Sequence, residues 1–174
     1  MTDAATRVLL VGFGNPGRLD DGLGPALAER IAAADLPGVT VEADYQLTVE
    51  DAAEVAKYEI VVFVDADTAG PEPFWVERIR GSETEHLSFS SHSVSPQGVL
   101  TLAKKLFNAE PEAFLLGIRG YEFNEFGEGL STKARANLAD ATTFVAHAVR
   151  QGRFTEVRPP RRGDDQAKQN QNKD

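Results

Sequence analysis

The apolar run Val8-Leu9-Leu10-Val11 stops at the turn Gly12-Phe13-Gly14-Asn15-Pro16-Gly17, and two adjacent carboxylates, Asp20 and Asp21, follow just before a helical pattern. A strand feeding a glycine turn and then a helix is the opening unit of an open α/β sheet, whose ligands bind outside the carboxyl ends of the strands. The two acids therefore stand where such a fold keeps its chemistry. The turn formally matches G-x-G-x-x-G, in which a pyrophosphate sits on the helix N-terminus. Asp20 and Asp21 put negative charge in that place, and no Gly-Lys-Ser/Thr follows, so both dinucleotide binding and a Walker loop are disfavoured. Either aspartate also suits capping of the helix, and one suffices for that.

Along the rest of the chain, short apolar runs alternate with amphipathic segments, the pattern of a three-layer α/β domain. Residues 7–13 read as a first strand buried on both faces, and 22–34 as a helix with Leu23, Leu27 and Ile31 on one side. Leu36-Pro37-Gly38 breaks it before a second strand over 39–43. Thr48 is placed to cap a helix ending near Lys57, with Asp51 completing a capping-box-like pair. Residues 60–64 form the central-strand candidate, ending at Asp65; 74–79 alternate as an edge strand does. Ser95-Pro96 opens a helix through Phe107, 114–118 form another strand, and Ser131 caps a last helix reaching Val149 or Arg150. After Val157 the composition turns to Pro, Arg, Gln, Asn, Asp and Lys, so the reading is one domain over 1–157 and a disordered tail over 158–174.

Composition narrows the chemistry. The chain has no cysteine, which removes disulfides, thiolate ligands and a cysteine nucleophile, and fits a cytoplasmic location. A formal charge of −9 opposes nucleic-acid binding. No stretch is apolar and long enough to span a membrane, and the polar start over 1–6 offers no signal-peptide pattern. There is no His-Glu-x-x-His helix and no Gly-x-Ser-x-Gly elbow, and the serines from Ser88 to Ser95 belong to no assignable triad.

If the first and third strands are neighbours in a doubly wound sheet, Asp21 and Asp65 come close together. Crowded carboxylates repel unless a proton or a cation joins them. Of the three histidines, His147 falls in the last helical pattern and His86 among polar residues. His92 lies in the polar loop Ser90-Ser91-His92-Ser93-Val94-Ser95. It suits either a solvated loop or, with the two acids, a divalent transition metal.

These residues resemble the hydrogenase maturation endopeptidases. The resemblance rests on Gly12-x-Gly14-Asn15 running into Asp20-Asp21-Gly22-x-Gly24, on Val64-Asp65-Ala66, and on the His92 loop before a helix. It extends to Phe114-Leu115-Leu116-Gly117-Ile118 and Gly129-Leu130-Ser131, and so covers residues 7–149. It implies an α/β/α domain with a twisted, mainly parallel central sheet. It also implies an aspartyl-type endopeptidase that removes the C-terminal extension of a [NiFe] hydrogenase large-subunit precursor after nickel insertion. Its metal-contacting residues map to Asp21, Asp65 and His92, with the nickel supplied by the precursor. Asp21 stands where relatives often carry Glu, and Tyr45-Gln46-Leu47 where relatives carry a glycine-rich segment. Asp20 is left with two roles, orienting water as a base or capping the helix.

Two alternatives share part of the pattern. Peptidyl-tRNA hydrolase resembles the chain at residues 11–17, but its loop continues with Tyr and Arg-His-Asn where this one reads Arg18-Leu19-Asp20-Asp21. A non-catalytic chaperone that checks the precursor for nickel would use the same three ligands.

Overall fold

The computed structural model describes residues 5–82 and 93–157. His86, His92 and Ser88 to Ser91 lie outside the described residues, as does the 158–174 segment. A five-stranded sheet in the order β2-β1-β3-β5-β4 is built from β1 (Val8–Phe13), β2 (Val39–Asp44), β3 (Ile60–Asp67), β4 (Phe74–Ile79) and β5 (Glu112–Arg119). The first four strands in that order run parallel, and β4 closes one edge antiparallel to β5.

Strand periodicity explains the layers. Val8 and Leu10 of β1 and Val62 and Val64 of β3 share one core with Leu23, Leu27 and Ile31 of α1 (Leu23–Ala33) and Leu138 and Val145 of α4 (Thr132–Gln151). Leu9, Val11, Val61 and Phe63 point the other way. They meet Val55 of α2 (Asp51–Val55) and Val99 and Ala103 of α3 (Pro96–Phe107). Successive strand residues thus feed opposite cores, which is why these strands read as continuous apolar runs. The result is the expected α/β/α sandwich.

Local signals set most boundaries. Ser95 accepts a hydrogen bond from the Gly98 amide at 3.0 Å and caps α3, with Pro96 at the first helical position. Ser131 caps α4 by accepting from the Ala134 amide at 3.3 Å. Other expectations need correction. The helix expected from Thr48 begins at Asp51, because the Thr48, Val49 and Glu50 carbonyls accept from three residues on in tight turns. The Thr48–Asp51 pairing itself exists, with the Thr48 amide donating to Asp51 Oδ2 at 2.6 Å. Both central strands outrun their apolar cores. β3 continues through Asp65 to Asp67 and β5 runs from Glu112 to Arg119, because pairing from Ile60↔Glu112 to Asp67↔Arg119 holds polar ends in the ladder.

The chain adds β2 on one side of β1 and β3 on the other, so a topological switch point opens between β1 and β3 at their carboxyl ends. The glycines of the first turn close that region sterically. A Cβ on Gly24, at the start of α1, would lie 2.4 Å from the Phe13 carbonyl and 2.5 Å from the Val64 carbonyl. One on Gly12 would lie 2.2 Å from the Gly24 carbonyl. Gly14 adopts φ 141°, and a Cβ there would sit 2.1 Å from the Asp21 carbonyl. The turn's glycines thus let a helix rest directly on the β1–β3 pair.

Gly24→Ala should therefore destabilise the protein by about 1–3 kcal/mol or more, as overpacking against rigid backbone does. Urea unfolding checks this against Glu29→Ala on the exposed side of α1, for which the change should stay within about 0.5 kcal/mol.

Candidate active site

Between Phe13 and α1 the chain makes a short 3-10 turn, Leu19–Gly22, that carries Asp20 and Asp21. Their side chains part. Asp21 turns back over the loop, and its Oδ2 accepts the Asn15 amide at 2.9 Å, while Asn15 Oδ1 accepts the Gly17 amide at 2.9 Å. Asp21 remains partly exposed. Asp20 is fully buried. Its Oδ2 accepts the Tyr121 amide at 2.8 Å, the Glu122 amide at 3.0 Å and the Ser131 hydroxyl at 2.7 Å; its Oδ1 accepts the Ser131 amide at 2.7 Å. Neither aspartate caps a helix through its side chain, contrary to that expectation for the pair. Asp20 instead joins the first loop to the start of α4. Burial pushes its pKa up, but the Ser131, Tyr121 and Glu122 donors outweigh burial and hold it below the ordinary value.

Asp65 lies on the neighbouring strand, in register with Gly117 of β5, and its Oδ1 accepts the Ala66 amide at 2.8 Å. Burial raises its pKa to about 6; the Ala66 bond opposes the rise, and the charges of Asp21 and Asp67 add to it. Asp21 thus lies near enough to Asp65 at the switch point for its charge to add to the rise that burial causes. Asp67, two residues on, is committed elsewhere. Its carboxylate accepts the Trp75 indole N–H at 2.5 Å and the Ala69 and Gly70 amides at 3.0 Å each. These donors and Arg119 outweigh burial and lower its pKa. It organises the turn into β4.

His92 lies outside the described residues. The chain re-enters at this same end of the sheet, where the Val94 amide donates to the Leu47 carbonyl, just beyond β2, at 3.1 Å. His147 sits in α4, away from the acids in the fold. Among the described residues, no group of three His, Asp or Glu side chains is arranged to hold a metal ion. Two neighbouring carboxylates by themselves make a partial oxygen ligand set for a divalent cation. A cavity of about 670 Å³ opens at the opposite end of the sheet, walled by Arg78, Arg80, Lys104 and Lys105. Glu112 and Glu110 pair with Arg78 and Lys104 there, at 3.6 and 2.8 Å. It holds none of the acids at the switch point.

The sequence pattern did not expose the roles of Asp20 and Asp67. For Asp67, a signal was available in Asp67-Thr68-Ala69-Gly70, since Asp before small residues and Gly commonly bonds to amides further along the turn. For Asp20 there was none, because its partners lie more than a hundred residues away.

Comparison by sequence finds no match, either to a protein-family model or to a curated protein. Comparison of structures does. The [NiFe] hydrogenase maturation protease HycI from Thermococcus kodakarensis KOD1 superposes with a TM-score of 0.64 at 23% identity, covering 83% of this chain and 93% of its own. The hydrogenase 2 maturation peptidase from Thaumarchaeota archaeon SCGC_AB-539-E09 gives 0.61 at 24% identity, covering 83% and 98%. The hydrogenase maturating endopeptidase HybD from E. coli gives 0.61 at 20% identity, covering 87% and 97%. At these identities the likeness establishes the fold, a mainly parallel α/β sheet shared along nearly the whole of those proteins. No helix among the described residues is long and apolar enough to cross a membrane.

Two variants separate the acids. Asp20→Asn places an amide among buried donors and should destabilise the protein by about 2–4 kcal/mol at neutral pH. Because the Asp20 pKa is lowered on folding, this deficit should shrink as the pH falls below the ordinary aspartate value of 3.8. Asp65 has the opposite sign. Its raised pKa penalises the folded state progressively from about pH 4 to about pH 6 and fully above that. Asp65→Asn should therefore be more stable than the parent at pH 7.5, by on the order of 1–3 kcal/mol, and equal to it near pH 3.5. Urea titrations at the two pH values read both effects.

Proposed function

We propose that this chain is an aspartyl-type endopeptidase that removes the C-terminal extension of a [NiFe] hydrogenase large-subunit precursor in the cytoplasm. In this reading Asp21, Asp65 and His92 meet nickel already held by the precursor, and the metal is part of the substrate. The observation that carries the reading is the Asp21–Asp65 pair at the switch point of a fold shared with hydrogenase maturation proteases. Absence of cysteine, of a serine elbow and of a zinc helix is consistent with an electrophile supplied by the substrate.

Each residue then has a distinct task. Asp21, fixed by the Asn15 amide, presents a carboxylate from the first loop. Asp65 presents a second from β3, and with a pKa near 6 it can hold or release a proton close to neutrality. A divalent cation between them would be favoured by both carboxylates and would offset the Asp21 charge that adds to the raised pKa of Asp65. Nickel brings Lewis-acid character to the carbonyl near it. Asp20, buried and bonded to four donors, has no part as a base; it holds the loop in place.

Mass spectrometry of a nickel-loaded large-subunit precursor incubated with the protein tests this. The expected result is a precursor shortened at its C-terminus; an unshortened one contradicts the protease reading and leaves a chaperone. Asp21→Asn, Asp65→Asn and His92→Ala should each slow cleavage by at least about tenfold, the scale on which even outer-shell changes weaken a metal site. Full activity in all three would contradict the assigned ligands. Since Asp65→Asn is expected to be more stable above pH 6, its lost activity will not reflect unfolding.

A further inference from the structure

The segment between β5 and α4 carries three aromatics, Tyr121, Phe123 and Phe126, in different surroundings. Phe123 turns inward; a Cβ on Gly120 would meet the tip of its ring at 2.6 Å. Phe126 points out and is 87% exposed, more than any other large apolar side chain among the described residues. An isolated exposed apolar residue is ordinary. What sets Phe126 apart is the order of the backbone that carries it. The Gly127 amide donates to the Gly17 carbonyl at 2.9 Å, the Leu19 amide donates to the Gly127 carbonyl at 3.0 Å, and Arg18 and Gly127 form a parallel bridge. The Arg18 guanidinium lies 5.4 Å from the centre of the Phe126 ring. Leu19, partly exposed, flanks the same spot. The fold therefore holds a phenyl ring in water on a hydrogen-bonded ledge, beside the short segment that presents Asp21.

Charge indicates what fits the ledge. Glu122, Glu125 and Glu128 are all exposed on the same segment, which pairs through Gly127 with the loop that carries Asp21. The nearby cations are partly engaged with rings: Arg18 over Phe126, and Arg119 and Lys133 over Tyr121 at 5.2 and 5.4 Å. From Tyr121 to Ser131 the charged side chains are Glu122, Glu125 and Glu128, with no Lys or Arg among them. Exposed aromatics within complementary charge are where docking energy concentrates, and charge complementarity steers the partner.

We propose that Phe126 anchors a docking ridge for an extended basic segment of the substrate polypeptide, which seats an apolar side chain on the ring and Lys or Arg side chains among Glu122, Glu125 and Glu128. The proposal rests on the protease reading for what the segment belongs to, but not for the binding itself. Fluorescence anisotropy of a labelled twelve-residue peptide of Leu, Ala and Lys, and of its Leu, Ala and Glu counterpart, tests it with the full chain at low and at moderate salt. The basic peptide should bind at least about tenfold more tightly than the acidic one and weaken as salt rises. Phe126→Ala should weaken it at least about fivefold, while Phe107→Ala, on an exposed ring at the far end of α3, should not. With precursor as substrate, Phe126→Ala should raise KM and spare kcat. Equal binding of both peptides, or binding indifferent to Phe126→Ala, overturns the ridge even if precursor is cleaved normally. Phe126-dependent binding of the basic peptide without any precursor cleavage supports the ridge and contradicts the protease reading alone.

Discussion

A fully buried carboxylate ties the two ends of this fold together. Asp20 accepts hydrogen bonds from Tyr121, Glu122 and twice from Ser131, so the first loop, the segment after β5 and the cap of α4 share one anchor. Burying a charge is tolerable only when its oxygens are matched by donors, and here those donors come from over a hundred residues away. The loop bearing Asp21 can therefore settle only when the last third of the chain is in place. Ser131 uses its hydroxyl twice and its amide once: the hydroxyl oxygen caps α4, and both amide and hydroxyl donate to Asp20.

With that anchor set, the geometry of the switch point follows. Gly12 and Gly24 let α1 rest on β1 and β3, which brings the loop carboxylate of Asp21 beside the strand carboxylate of Asp65. The same closeness that excludes a side chain at the glycines leaves two acids sharing a partly buried crevice. That arrangement is poor for a phosphate and good for a cation, and it accounts for why a turn with a dinucleotide-binding spacing has no dinucleotide-binding electrostatics. Glu122, Glu125 and Glu128 add exposed negative charge on the segment that pairs with this loop.

Much of this was legible in the residues. Apolar runs without alternation announced strands buried on both faces, and Ser95-Pro96 and Ser131 marked helix starts through their capping chemistry. The adjacency of β1 and β3, hence of Asp21 and Asp65, followed from the order of elements alone. What stayed hidden was long-range. Strand ends at Asp65–Asp67 and Glu112 are polar and are kept in the sheet only by their partner across the ladder. Asp20 looked like a helix cap because its neighbours in sequence suit capping, whereas its neighbours in space decide otherwise. The presentation of Phe126 depends on pairing between residues 17–19 and 127, which no local pattern encodes.

The central claim is that the paired acids read a metal borne by the substrate, and it is tested most directly by matched cleavage time courses on nickel-loaded and nickel-free forms of one large-subunit precursor. The account expects the nickel-loaded form to be shortened and the nickel-free form to persist under the same conditions. Equal rates for both forms would contradict it, and would place the role of Asp21 and Asp65 in the peptide bond rather than in the metal.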